Sequence, residues 1–188
     1  MEDLSLHLLD VVENSITAGA TRVEIEITEE SRSDRLMLAI KDNGRGMPAD
    51  MAAHVHDPFV TTRTTRRVGM GIPLLHQAAQ EAGGECRVHS VPGHGTEIRA
   101  DFRLSHIDRK PLGDLAATMT TLIAGNPRVD FGFLYERDGE RIEFDTAEIK
   151  QQLDGVPIQS PAVLDLIAGL FKPSPRDDGG VGHGQTQD

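Results

Sequence analysis

Periodic segments follow one another along this chain as helix, strand, strand, helix, helix, strand, strand, and that order leaves few architectures open. Leu4, Leu8, Val12 and Ile16 recur at a spacing of four and predict a helix over residues 3–18, with Gly19 as its stop. Val23, Ile25 and Ile27 alternate with Glu24, Glu26 and Thr28, the signature of a half-buried strand. A polar turn, Ser31 to Asp34, leads into a more apolar strand over 35–41. Pro48 is placed to open a short helix at its first position, and a second helix runs from Gly71 to Ala82, ended by Gly83-Gly84. Strands near 85–91 and 96–104 flank the turn Pro92-Gly93-His94-Gly95. Dinucleotide-type βαβ alternation is absent. The order predicts an α/β (α+β) two-layer sandwich, with helices on one face of a mixed or antiparallel sheet.

After about residue 106 the pattern restarts. Leu115, Met119, Leu122 and Ile123 mark a helix, and Val129, Phe131, Phe133 and Tyr135 alternate toward the hairpin turn Asp138-Gly139. A return strand over 140–144 follows. Asp145 with Glu148 has the spacing of a capping box for a helix near 146–153, and Ser160-Pro161 opens another that ends near Phe171. We therefore expect a first domain over 1–105, a small α+β extension with its own core over 106–172, and a disordered tail over 173–188.

The net charge of −11 argues against a nucleic-acid partner, which phosphate contacts would draw to excess Lys and Arg. No apolar run reaches the length of a membrane span. Cys86 is the single cysteine, so no internal disulfide framework is available and a reducing, cytoplasmic setting is expected. The cations concentrate in one place, Arg63, Arg66 and Arg67.

Three segments carry residues suited to chemistry. A helix turns about 100° per residue, which gathers His7, Asp10, Asn14 and Thr17 on one polar stripe opposite the leucines. Such a stripe suits Mg²⁺, a hard cation that takes oxygen ligands and phosphate oxygens; taken alone, a solvated helix face is its default reading. Asp42 ends a buried strand just before Gly44 and Gly46, where a carboxylate can accept from an adenine amine and glycines let a base approach the backbone. A plain Asp-Asn-Gly turn has the same composition. Residues 59–73 combine Phe59, threonines, arginines and Gly69-Met70-Gly71 ahead of a helix, whose free N–H groups suit phosphate. His54 and His56 with Asp57 lack the further ligands a metal site would need.

Taken in order, these segments resemble the GHKL superfamily of gyrase B, the ninety-kilodalton heat-shock chaperones, histidine kinases and the mismatch-repair protein MutL. Val12 to Thr21, with Glu13-Asn14-Ser15 inside it, is similar to the N-box of MutL. Asp42-Asn43-Gly44-Arg45-Gly46-Met47 resembles the G1-box, and Gly93-His94-Gly95-Thr96 the G3 region. Asp57 to Arg63 followed by Gly69 to Leu74 resembles the F-box and G2-box of histidine kinases. The resemblance spans residues 1–104 and implies a Bergerat-type ATP-binding fold with ATP and Mg²⁺ as cofactors.

By that resemblance Asn14 coordinates Mg²⁺ and Asp42 binds adenine, with Thr96 on the adenine side. Gly44, Gly46, Met47, Phe59, Thr62, Arg63, Gly69, Met70 and Gly71 belong to the nucleotide site, residues 60–71 forming its lid. ATP-hydrolysing relatives carry a glutamate base four residues before the metal-binding Asn. Here that position is Asp10, a candidate general base with one methylene less reach. The MutL-type lid motif is missing, and so are the phosphoacceptor helix and dimerisation hairpin of histidine kinases. These departures imply a stand-alone kinase-like module acting on a protein partner. A nucleotide-gated interaction switch or a weak ATPase is the alternative, and a homodimer is compatible with either.

Overall fold

In the computed structural model, which describes residues 3–56 and 71–172, every element expected over those residues is present. Helix α1 spans Leu4–Thr17, capped by the Asp3 side chain, which accepts from the Leu6 N–H at 3.0 Å. Strands β1 (Arg22–Glu30) and β2 (Arg35–Asp42) follow, then helices α2 (Ala49–His54) and α3 (Gly71–Glu81), then strands β3 (Glu85–Val91) and β4 (Gly95–Arg103). Pro48 caps α2 from outside rather than occupying its first turn, a one-residue difference that suits a residue with no N–H to offer.

Helix α4 (Leu115–Gly125), strands β5 (Asp130–Arg137) and β6 (Glu140–Asp145), and helices α5 (Thr146–Gln152) and α6 (Pro161–Gly169) complete the chain. Asp145 caps α5 through the Ala147 N–H at 2.8 Å.

The strands form one mixed six-stranded sheet in the order β3-β4-β2-β1-β5-β6. All neighbours are antiparallel except β1 and β5, which run parallel, with Val23 opposite Phe131 and Ile25 opposite Phe133. The aromatic hairpin expected to fold about its own core is instead built onto the edge of β1. Phe131, Phe133 and Phe144 share a single apolar core with Val23, Ile25, Ile27, Leu36, Leu38 and Ile40. The physical reason is alternation: β1 is buried on one face only, and its free edge offers backbone donors and acceptors that β5 satisfies.

Helices α1, α3, α4 and α6 cover the apolar face of the sheet through that core. The other face carries Glu24, Glu26, Lys41 and Glu97, all exposed. Leu8, Val11 and Val12 of α1 and Leu75 and Ala79 of α3 are almost wholly shielded from solvent. At about 1.5–3 kcal/mol for each large apolar side chain buried, this layer holds α1 in a fixed rotation over the end of β2.

Candidate functional site

Strand parity decides which polar side chains meet. Leu36, Leu38 and Ile40 of β2 point into the core, so Asp42, two residues on, points the same way. On β4 the inward set is Phe102, Ala100, Ile98 and then Thr96. The register pairs Asp42 directly with Thr96, and Thr96 in turn with Ser90 of β3. A polar row therefore crosses three strands at the end of an otherwise apolar sheet face.

Helix α1 closes this row from above. Ser15, buried on the helix's inner side, donates from Oγ to Asp42 Oδ2 at 2.7 Å. The Gly44 and Thr96 N–H groups donate to Oδ1 at 2.8 and 3.3 Å. The Asp42 carboxylate is 8% exposed and carries three donors from three different segments. Four acceptor sites are available on an ionised carboxylate, so about one remains.

The loop after β2 is folded tightly against the β3–β4 turn. Gly46 has φ +65°, and a Cβ there would overlap the Val91 carbonyl. Gly95 has φ +95°, and a Cβ would overlap the Asp42 carbonyl. Only glycine meets both demands at these positions. The Gly93 N–H donates to the Arg45 carbonyl at 2.7 Å, and the Arg45 N–H to that of Ala18 at 3.1 Å, tying the loop to both neighbours.

Beside the carboxylate lies a cavity of about 590 Å³. Val11, Asn14, Ser15 and Ala18 of α1 form one wall, and Arg45, Gly46, Met47 and Pro48 another. Met51, Val55 and Ile72 add apolar surface, and Asp42, Thr96 and Ile98 lie on the sheet side. Its size is that of a small-molecule site, with a mostly apolar lining and a few convergent polar groups.

The structure thus brings together Asn14, Asp42, Gly46, Met47 and Thr96 at one cavity. Gly44 stands behind it, close enough to Asp42 and Ala18 that a Cβ would come within 3.0 Å of Asp42 Oδ1. Asp10 is not among the lining residues. It meets the start of α3, where a Cβ on Gly71 would approach its Cβ to 2.8 Å. Phe59, Thr62, Arg63, Gly69 and Met70, with the expected lid, lie outside the described residues.

The polar stripe of α1 is narrower than a helical wheel suggests. His7 is 3% exposed, on a helix that packs against both α3 and α4. Burial holds its imidazole below the usual histidine range, and its Nδ1 has no hydrogen-bond partner among the described residues. Ser15, inside the N-box-like segment, has no role in the sequence reading; its spacing of seven from Leu8 is the signal that it faces inward. Ser90 is the other residue absent from the sequence reading; strand alternation sets its face, and the register of the tight β3–β4 turn sets it beside Thr96.

Residues 2–106 match the family model of the histidine kinase-, DNA gyrase B-, and HSP90-like ATPase. Sensor protein kinase FleS of Pseudomonas aeruginosa is 35% identical over 89 residues, covering 47% of this chain and 22% of that protein. Signal transduction histidine-protein kinase AtoS of Escherichia coli is 33% identical over 89 residues, covering 47% of this chain and 14% of its own length. The chain therefore spans less than a quarter of either relative. A crystal structure of the N-terminal domain of a DNA repair protein shares the fold, with a TM-score of 0.52, 15% identity, and coverage of 75% of this chain and 51% of that one. With more than half its length matched and the carboxylate, glycines and cavity assembled at one place, the chain belongs to the histidine kinase-, DNA gyrase B- and HSP90-like ATPase family.

Proposed function

We propose that the protein binds ATP with Mg²⁺ in the Asp42 cavity and passes the γ-phosphoryl group to a partner protein. The observation that carries the binding half is the Asp42 carboxylate, buried, held by Ser15, Gly44 and Thr96, and still open to the cavity. An acceptor held so rigidly suits the exocyclic amine of adenine, and Met47, Met51, Val55, Ile72 and Ile98 suit the faces of the ring.

Asn14 fits the metal. Its amide lines the same cavity one helical position before Ser15, and among the described residues no group of three or more His, Cys, Asp or Glu stands ready to cage a cation. A single side-chain oxygen is a reasonable protein share for Mg²⁺, which keeps waters and binds phosphate oxygens. When bound, the ion neutralises charge on the phosphates. The chain's own contribution is to hold the base at Asp42 and so aim the phosphates along α1 toward Asn14. Arg45, the one Lys or Arg among the described lining residues, adds positive charge to the cavity.

Transfer rather than hydrolysis is favoured by the two named kinase relatives and by the placement of Asp10 against Gly71, away from the cavity lining. Phosphoryl transfer depends chiefly on positioning and electrostatics. The acceptor's nitrogen or oxygen bonds to the γ-phosphorus, the bond to the bridging oxygen breaks, ADP leaves, and the acceptor's proton passes to solvent. Asp10 as a base for water, in a weak ATPase or a nucleotide-gated switch, is the competing reading.

The test is incubation with Mg²⁺ and γ-labelled ATP, following protein-bound label and free phosphate together beside an Asn14→Ala control. Label on the protein or on an added partner that disappears in the control supports transfer. Free phosphate without label would establish the ATPase, and binding with neither signal the switch.

A further inference from the structure

Ser90 lies behind the cavity rather than on it, and its hydroxyl has three neighbours. The Met47 N–H donates to Ser90 Oγ at 2.8 Å, the Gly95 carbonyl lies 3.1 Å away, and Thr96 Oγ1 lies 2.8 Å away. A hydroxyl has one proton to give and two lone pairs to receive with. Met47 N–H can only donate, and the Gly95 carbonyl can only accept. One arrangement uses all three contacts: Ser90 gives its proton to Gly95, and Thr96 gives its own to Ser90. The Thr96 hydroxyl then turns its proton away from the cavity and presents lone pairs toward it.

From this we infer that Ser90 is a specificity-determining, positioning residue that makes the base end of the cavity acceptor-only. The inference rests on the nucleotide reading above. Asp42 contributes carboxylate lone pairs, Ser15 spends its proton on Asp42, and Thr96 spends its proton on Ser90. A purine with an amine at its six-position meets acceptors there. A purine with a carbonyl at that position can offer its ring N1–H to these acceptors, but its carbonyl oxygen faces lone pairs with no proton there to bond it. A site built to pair one hydrogen-bonding group rejects the analogue that leaves it unpaired. Ser90 also fixes the Met47 backbone, so the same hydroxyl sets the wall against which the base packs.

The experiment is calorimetric titration of the full chain with Mg²⁺-ATP and Mg²⁺-GTP, for the wild type, Ser90→Ala, Ser90→Cys and Ser90→Thr. Releasing the Thr96 proton lets it bond a carbonyl, so in Ser90→Ala the preference for ATP over GTP falls about three- to tenfold, the worth of one hydrogen bond. Ser90→Thr keeps the hydroxyl and keeps the wild-type ratio. Ser90→Cys preserves the shape with a poor acceptor and shows the same loss of preference, which covers the case in which alanine impairs folding. Equal weakening of both nucleotides, with an unchanged ratio in Ser90→Ala and Ser90→Cys, would show Ser90 to be structural only and overturn the inference. Failure of the wild type to bind ATP would overturn the nucleotide reading itself, a result the ratio alone cannot produce.

Discussion

At the scale of single residues, the Asp42 carboxylate carries the site. In Asp42→Asn the oxygen can stay with the Gly44 and Thr96 N–H groups, so the new NH₂ must sit on the Ser15 side. Ser15 can reverse its bond, but the second amide hydrogen then faces the cavity, donor against the adenine amine. ATP affinity measured by calorimetry should fall about ten- to hundredfold, the range for a hydrogen bond to a charged group, while far-UV circular dichroism stays unchanged. Cys86 gives a contrasting case. Burial, reinforced by Asp101, pushes its thiol up to about 12, and it is 6% exposed. At pH 8 it should react with iodoacetamide on the order of a hundredfold more slowly in the native protein than in denaturant, followed by mass spectrometry.

At the scale of elements, α5 depends on one acid with two tasks. Asp145 caps the helix and pairs with Arg22 at 2.8 Å, and the bond from Arg22 holds its carboxyl below the usual range. A depressed carboxyl contributes stability above its unfolded value of 3.8 and loses it as pH falls through the folded value. Asp145→Asn keeps a competent cap but removes the titration. Urea unfolding should therefore show the wild type losing more stability than the variant between pH 5 and the acid limit, with the gap closing below pH 3, all in the order of magnitude of one half-exposed ion pair, ~0.5 kcal/mol. Much at this scale was legible in the sequence. The period of four in Leu4 to Ile16 and the alternation in Val23 to Ile27 fixed α1 and β1, because each element buries one face. Asp42 was legible for the same reason, since it extends an inward alternation. What sequence does not give is rotation: the wheel of α1 does not say that α3 and α4 pack against it, so it sets His7 on a polar stripe and leaves the inward-facing Ser15 without a task. Phe59 to Met70 cannot be compared, lying outside the described residues.

At the scale of the whole molecule, the unexpected fact is that β5 completes the sheet beside β1. Local patterning shows that residues 129–144 form a hairpin, but not which edge it joins, because a parallel pairing leaves no turn between its partners to read. The family match stops at residue 106, short of this hairpin. Truncation there would uncover the β1 edge and remove the buried Met119, Leu122, Ile123, Phe131 and Phe133. At about 1.5–3 kcal/mol each, their loss is comparable with the whole net stability of a domain, about 5–15 kcal/mol. A 1–106 fragment should thus be aggregated or lack a cooperative thermal transition, whereas the full chain unfolds in one step by calorimetry. The same pairing has a bearing on how the protein is made. Arg22 is partnered with Asp130, so β1 leaves the ribosome long before its neighbour is synthesised. At about 5–20 residues per second, that interval lasts about 5–20 s. For that time the nascent first half carries a bare, β-branched strand edge, the kind of template to which a strand of another chain can add.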